Sequence, residues 1–266
     1  MVLGIDVGGT KILAARVEDG KILNRWKTGT RNGKVIATLR SIISQAGESR
    51  VGIAVPCYLR NGVCVKSPNI PELDGKILQD HFEGASVMND CTAMAYGEYF
   101  LRGGKYDPLL LVALGTGVGA GFVYKSSPYV GRGSAMEIGH LKGFSEMKCY
   151  CGRRGCLETV LGGRYNDLPR MEKMARNGEK EGLRFMEEYG RTLARGIATA
   201  IQLLDPEIVV IGGSAARAYD LFERSMKEEL HNLLSFITLD DIIFERARSE
   251  ESGALGAALI ADRGLI

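Results

Sequence analysis

The chain has 266 residues, 45% of them hydrophobic and 25% charged, with a net charge of +2 at pH 7. That length buries a real core in one large or two smaller domains, and the balance excludes a disordered chain. Basic residues are scattered, the densest run being the short GRRG at 152–155, so no electrostatic footprint for nucleic acid is present, and no apolar run approaches a bilayer span.

The opening MVLGIDVGGTK carries an acid, Asp6, and glycines directly after a short apolar run. A secretion signal needs a basic start and a longer apolar core, so a cytoplasmic location is expected. VLGID at 2–6 reads as a buried strand ending on that acid, and GGT as a tight turn. Residues 11–19 and 20–28 read as two further strands joined by an Asp19-Gly20 hairpin turn. Val35, Ile36, Leu39, Ile42 and Ile43 form a helical stripe over 34–45. Residues 51–56 read as a strand. Another starts at 86–88, and Asn89-Asp90 caps a helix to about 101. Residues 108–117 and 118–124 pair around a glycine-rich turn, 179–204 is helical, and 206–216 reads as strand, turn and helix. The small residues of 253–261 predict a helix packed closely on a sheet. The pattern is two α/β units, expected at 1–89 plus 253–266 and at 90–252.

Six cysteines are present. Cys57, Cys64 and Cys91 lie in apolar or mixed contexts and read as small buried hydrophobes. Cys149, Cys151 and Cys156 share a glycine-rich loop with few apolar residues, and His140 lies nine residues upstream of the first. A disulfide framework is not expected in a cytoplasmic chain of this size. Three thiols and an imidazole suit a tetrahedral Cys₃His zinc site, which would order a loop that has no core of its own. A cluster of reduced thiols without metal is the alternative.

Five constellations carry chemistry. In DVGGTK, 6–11, backbone N–H groups of the turn suit phosphate oxygens and Asp6 suits a hydrated Mg²⁺, though an ordinary hairpin turn reads the same way. It is neither a Walker motif nor a dinucleotide fingerprint. LGTGVGAG, 114–121, repeats the logic in the second half, so a nucleotide clamped by two lobes is expected. Gly212 and Gly213, at the end of VVIGGS, let a flat ring approach the backbone at a strand's carboxyl end. Asp90 in MNDCTA is either only a helix cap or the carboxylate that accepts a hydroxyl proton in phosphoryl transfer. Glu137, His140 and Glu158 concentrate acceptors for a polyhydroxylated ligand around the cysteine loop.

In this order, DVGGTK, ND before a helix, LGTGVGAG, EIGH, CYCGRRGCLE and IVVIGG resemble the ROK family of sugar kinases and transcriptional repressors, from Gly4 to about Ala258. The EIGH and CxCGxxGCLE unit is the most specific part. The resemblance implies an actin-like, ribonuclease-H-type fold of two α/β domains with a cleft between them. It implies ATP-dependent phosphorylation of a hexose, commonly at the 6-hydroxyl, with Mg²⁺ and structural zinc, by a homodimer. By the same resemblance Asp90 is the catalytic base. Asn69, Asn89, Glu137, His140 and Glu158 contact the sugar. Asp6, Gly8, Gly9, Thr10 and Lys11 form the first phosphate region and Gly115, Thr116 and Gly117 the second. Gly212 and Gly213 form the adenosine region, and His140, Cys149, Cys151 and Cys156 hold zinc, with the free ring nitrogen of His140 turned to the sugar.

The chain departs from the family at Cys57, where Val-Pro-Gly is common, and at Thr92, where a second Asn is usual. The segment after Glu158 is short. Repressor members carry a helix-turn-helix ahead of the phosphate strand on which this chain opens, so no DNA-binding module is expected. Glucose is the first expected substrate, with N-acetylmannosamine, N-acetylglucosamine and fructose as alternatives and polyphosphate as an alternative donor. A sensor without catalysis has no need of Asp90, and a zinc hydrolase needs an open metal position that four protein ligands close. The cysteine loop is expected to govern sugar affinity more than nucleotide affinity, because the phosphate loops lie elsewhere in the sequence.

Overall fold

The computed structural model describes residues 1–266. The chain runs β1 (Val2–Val7), β2 (Lys11–Glu18), β3 (Lys21–Gly29), α1 (Val35–Ala46), β4 (Val51–Val55), β5 (Tyr58–Arg60), β6 (Val63–Lys66), β7 (Lys76–Ile77), β8 (Ser86–Asn89) and α2 (Asp90–Leu101). It continues through β9 (Leu109–Leu114), β10 (Val118–Tyr124), β11 (Ser127–Pro128), α3 (Glu158–Leu161), α4 (Leu168–Arg176) and α5 (Lys180–Leu204). It ends with β12 (Ile208–Gly212), α6 (Tyr219–Leu233), β13 (Ile243–Arg246) and α7 (Ser252–Arg263).

Two five-stranded sheets share one topology. Their orders are β3-β2-β1-β4-β8 and β11-β10-β9-β12-β13, each a meander of three strands followed by two crossover strands. In the first, β1 and β2 are antiparallel, as are β2 and β3, while β4 and β8 are added parallel. In the second, β12 lies parallel to both β9 and β13. Parallel strands covered on both faces read as unbroken apolar runs. That is why IVVIG of β12 is buried at every position.

The chain divides into two compact units, 1–107 with 121–136 and 248–266, and 108–120 with 137–247. Asp90–Leu101 stays with the first unit because α2 packs on α7, and Gly256 of α7 sits against the backbone of α2. A Cβ at Gly256 would lie 1.8 Å from the Ala93 carbonyl oxygen, so only glycine allows that approach. Between these helices, the Glu98 carboxylate pairs with Arg102 and accepts the Arg248 and Ser249 N–H groups, fixing the entry to α7. The core of this unit collects Leu3, Ile5, Val7, Leu39, Ile53 and Val55. The first turn of α1 has no cap of its own, and the Glu72 carboxylate accepts the Val35 and Ile36 N–H groups in its place.

A three-stranded sheet, β5-β6-β7, went unread in the sequence. Its signal is Asn61-Gly62, whose φ angles of 49° and 79° match the hairpin turn that Asp19-Gly20, at 50° and 74°, makes in the first sheet. That hairpin changes the reading of two cysteines. Cys57 and Cys64 are not separate buried thiols. Their sulfurs are bonded to each other, because the β5–β6 pairing brings their Cα atoms within 5.4 Å. Cys57 also adopts no positive φ, so it replaces glycine here without backbone strain.

In the second unit, α5 presents Met186, Tyr189, Leu193, Ile197 and Ile201 on one buried stripe. Each contributes about 1.5–3 kcal/mol by burial, an upper figure because the unfolded chain already hides some of that surface. Helices α4 and α6 were not separately expected from sequence. Arg176 of α4 bonds both Asp220 carboxylate oxygens on α6 and the Arg217 carbonyl, tying that corner together.

Candidate active site and metal centre

The first unit places Asp6 at the carboxyl end of β1 and Asn89-Asp90 where β8 passes into α2. The Gly8-Gly9-Thr10 turn closes with the Gly8 N–H on the Lys11 carbonyl at 2.8 Å, while the Thr30 hydroxyl donates to the Gly8 carbonyl at 2.7 Å. A Cβ at Gly9 would stand 3.0 Å from the Cβ of Asn69, so Asn69 lies directly beside this turn. Lys11 makes an exposed ion pair with Glu250 at 3.1 Å, an interaction weak enough for an incoming phosphate to displace.

Asn89 is the helix cap. Its carbonyl oxygen accepts the Cys91 and Thr92 N–H groups at 2.9 and 3.2 Å, and its amide donates to the Cys57 carbonyl at 3.4 Å. Capping by Asn89 releases Asp90 from that duty. One Asp90 oxygen takes the Cys91 N–H at 2.8 Å, and part of the side chain stays accessible. Burial pushes the Asp90 pKa up to about 6, against the pull of that N–H. Asp6 rises to about 7, through burial first and repulsion from Asp90 second, with Lys11 opposing. Asp6, a buried carboxylate whose charge Asp90 disfavours, suits a hydrated divalent cation.

The second unit gathers His140, Cys149, Cys151 and Cys156, whose ligand atoms all lie within 4.8 Å of one another. Cys151 and Cys156 sulfurs are 3.6 Å apart, and Cys149 Sγ is 3.9 Å from His140 Nδ1. A zinc tetrahedron with bonds of about 2.3 Å has S···S edges of roughly 3.8 Å, so the donor set fits that ion in both kind and spacing. Burial and the neighbouring Lys142 hold the His140 pKa below its ordinary value, which keeps the ring neutral, as a ligand must be. Lys142 Nζ stands 2.6 Å from Cys156 Sγ and offsets the negative charge that three thiolates would carry around one Zn²⁺.

Glu158 opens α3 and is almost wholly buried. One of its oxygens accepts the Val118 N–H at 3.1 Å, and the other is buried without a protein partner. A buried carboxylate oxygen left open is a costly arrangement that a ligand hydroxyl would satisfy. Burial raises its pKa, while the Val118 N–H and Arg164 oppose the rise. The ring nitrogen of His140 turned away from the cysteines meets the Tyr150 hydroxyl at 3.0 Å and a Glu137 oxygen at 4.0 Å.

A pocket of about 520 Å³ lies wholly within this unit, walled by Gly115, Thr116, Tyr165, Asn166, Ser214 and Arg217 among others. Gly115 and Thr116 line it, whereas Gly117, Gly212 and Gly213 do not. Gly117 instead makes room for Glu158, whose carboxylate oxygen would be 2.3 Å from a Cβ there. Gly213, at φ 79°, turns the chain so that Ser214 reaches the pocket. Tyr150, Arg164, Tyr165 and Arg217 were missed. No motif marks them: Arg164, Tyr165 and Arg217 come to the pocket from the segment after α3 and the turn after β12, and Tyr150 lies beside His140.

The repeated sheet topology and the carboxylates at strand ends define an actin-like α/β protein. The ROK family profile matches residues 2–263, and the chain belongs to the ROK family. It is 30% identical to a glucokinase of Thermotoga maritima over 97% of this chain and 96% of that one. It is also 30% identical to an N-acetylmannosamine kinase of Escherichia coli over 97% of each. The ROK family glucokinase of Streptomyces griseus, solved in complex with glucose and AMPPNP, superposes with a TM-score of 0.84 at 26% identity and 99% coverage of both chains. No helix is long and apolar enough to cross a membrane.

Proposed function

We propose that this chain is an ATP-dependent sugar kinase that phosphorylates the 6-hydroxyl of a hexose, with glucose as the preferred acceptor. The observation that carries this reading is Asp90, a partly accessible carboxylate freed from capping by Asn89 and with a pKa near 6. A pKa just below neutrality suits a general base, which must be ionised yet still able to take a proton. A sugar sensor would have no use for it.

In this reading Asp90 accepts the proton of the attacking hydroxyl, the hydroxyl oxygen bonds to the γ-phosphorus, and ADP departs. Asn69 and Asn89 orient the acceptor. Glu158 offers its open oxygen to a sugar hydroxyl, Glu137 adds a further acceptor, and His140, with Nδ1 on the metal, presents an Nε2–H donor. Gly8 to Lys11, Gly115 and Thr116 hold the phosphates. Mg²⁺, when bound through Asp6, would neutralise charge on the phosphates. Zinc on His140, Cys149, Cys151 and Cys156 would have a structural role, since four protein ligands leave it no open position. The active species is a homodimer in the cytoplasm.

The equal identity to the N-acetylmannosamine kinase favours that amino sugar as the second acceptor to consider. A coupled assay of ADP release over glucose, N-acetylmannosamine, N-acetylglucosamine and fructose tests the reading, with a parallel series using polyphosphate as donor. Glucose should give the highest kcat/KM with ATP. Higher turnover on an amino sugar would reassign the acceptor, and no turnover with any sugar would sink the kinase reading.

A further inference from the structure

The segment 162–167 has two faces. One walls the 520 Å³ pocket through Gly163, Arg164, Tyr165, Asn166 and Asp167. Its backbone also grips the second glycine loop. Gly163 N–H donates to the Gly115 carbonyl and Arg164 N–H to the Thr116 carbonyl, each at 2.9 Å. The other face meets the cysteine loop. The Tyr165 hydroxyl accepts the Tyr150 N–H at 3.0 Å, on the peptide between Cys149 and Cys151. The Arg164 guanidinium lies 5.5 Å from the centre of the Tyr150 ring, in cation–π range. Asn166 anchors the segment from below, donating to the Val160 and Gly162 carbonyls at 2.8 and 3.2 Å.

We propose that Tyr165 is a positioning residue for the nucleotide, a strut through which the ordered Cys₃His loop fixes the pocket wall and the Gly115–Thr116 carbonyls. The inference rests on the proposed reading of Gly115 and Thr116, which wall this pocket, as part of the loop that holds the phosphates of the nucleotide. It runs against the expectation that the cysteine loop governs sugar affinity more than nucleotide affinity. The loop and the glycine turn are far apart in sequence, yet one phenol ring separates them. A rigid ring loses little entropy on ordering, so it transmits displacement better than a flexible side chain would. When the cysteine loop loosens, the hydroxyl loses the Tyr150 N–H as donor, and the segment is held by its backbone bonds to the glycine turn and by Asn166.

The test is a thermodynamic cycle on the full chain, with AMPPNP affinity measured by calorimetry. Wild-type and Tyr165→Phe proteins are compared, each loaded with Zn²⁺ and each stripped by chelator. Stripping should weaken wild-type affinity by about tenfold, the lower end of the range for disrupted metal surroundings. Tyr165→Phe should weaken the loaded protein about fivefold, the worth of one hydrogen bond, and stripping should then cost it little more. Equal losses on stripping in both proteins would overturn the strut, as would unchanged wild-type affinity. If wild-type protein binds no AMPPNP while sugar still binds, the nucleotide reading falls and the proposal falls with it. Hydrogen exchange on wild-type protein needs no variant. Adding Zn²⁺ should protect the Gly163 and Arg164 amides, and unchanged exchange there would also overturn the proposal.

Discussion

At Asp90, chemistry and stability pull in opposite directions. A carboxylate whose folded pKa is raised from 3.8 to about 6 binds its proton more tightly folded than unfolded. Its contribution to stability is therefore complete below pH 4, roughly, and is lost as pH rises through about 6. The same titration, read as catalysis, switches the base on. Activity should fall below pH 6 with unit slope in log kcat/KM, and a profile flat to pH 4 would remove Asp90 from that role. Asp90→Asn should keep sugar affinity but lose about a hundredfold to ten-thousandfold in kcat. It should also melt higher than wild type at pH 8, since the amide can accept the Cys91 N–H without a buried charge. Asn89 makes this possible. A sequence reader sees two polar residues at a helix start and cannot say which one caps, and here the amide takes both N–H groups.

The cysteine loop and the β5–β6 hairpin are elements held by sulfur chemistry of different kinds. In the loop, spacing within the sequence was enough to pair three thiols with His140, because a four-ligand site built on a tight turn is a local arrangement. The Cys151→Ser, Cys156→Ser double variant should retain no zinc by elemental analysis, against one per chain for wild type, as hydroxyls are poor zinc ligands beside thiolates. Retained zinc in that variant would remove the site. The Cys57–Cys64 bond was not legible because it depends on a hairpin whose strands are three and four residues long. Such short strands show no period. Removing the bond with the Cys57→Ser, Cys64→Ser double variant should cost about 2 kcal/mol, the chain-entropy value for so short a loop. Urea denaturation under non-reducing conditions measures it. Since the Cys57 carbonyl accepts from Asn89, sugar KM in the same variant should rise while nucleotide affinity holds.

Across the whole chain, the first unit is closed by its last helix, and this closure is unforgiving. The side chains of Glu98 and Arg102 are buried to within 1% of full occlusion, so truncating Glu98 removes a buried carboxylate that pairs with Arg102 and holds the Arg248 and Ser249 N–H groups. Glu98→Ala should therefore cost about 3–5 kcal/mol in unfolding free energy, and a loss below 1 kcal/mol would show that the pair carries no such burden. Gly256→Val should be at least as damaging as overpacking elsewhere, roughly 1–3 kcal/mol, because the clash is with backbone that cannot rotate away.

The fold class, the two glycine turns, Asp90 as the candidate base and the four candidate metal ligands were legible in the sequence. Each of these is written locally, in a strand end followed by small residues, or in a few ligands spaced along one turn. The tertiary structure alone decided where the units divide, that Cys57 reaches Cys64, that Glu158 keeps an open oxygen, and that Tyr165 joins the cysteine loop to the pocket. The division follows the packing of α7 on α2, the disulfide follows the pairing of two short strands, and the last two follow the route of the segment after Glu158; none of these has a periodicity to announce it.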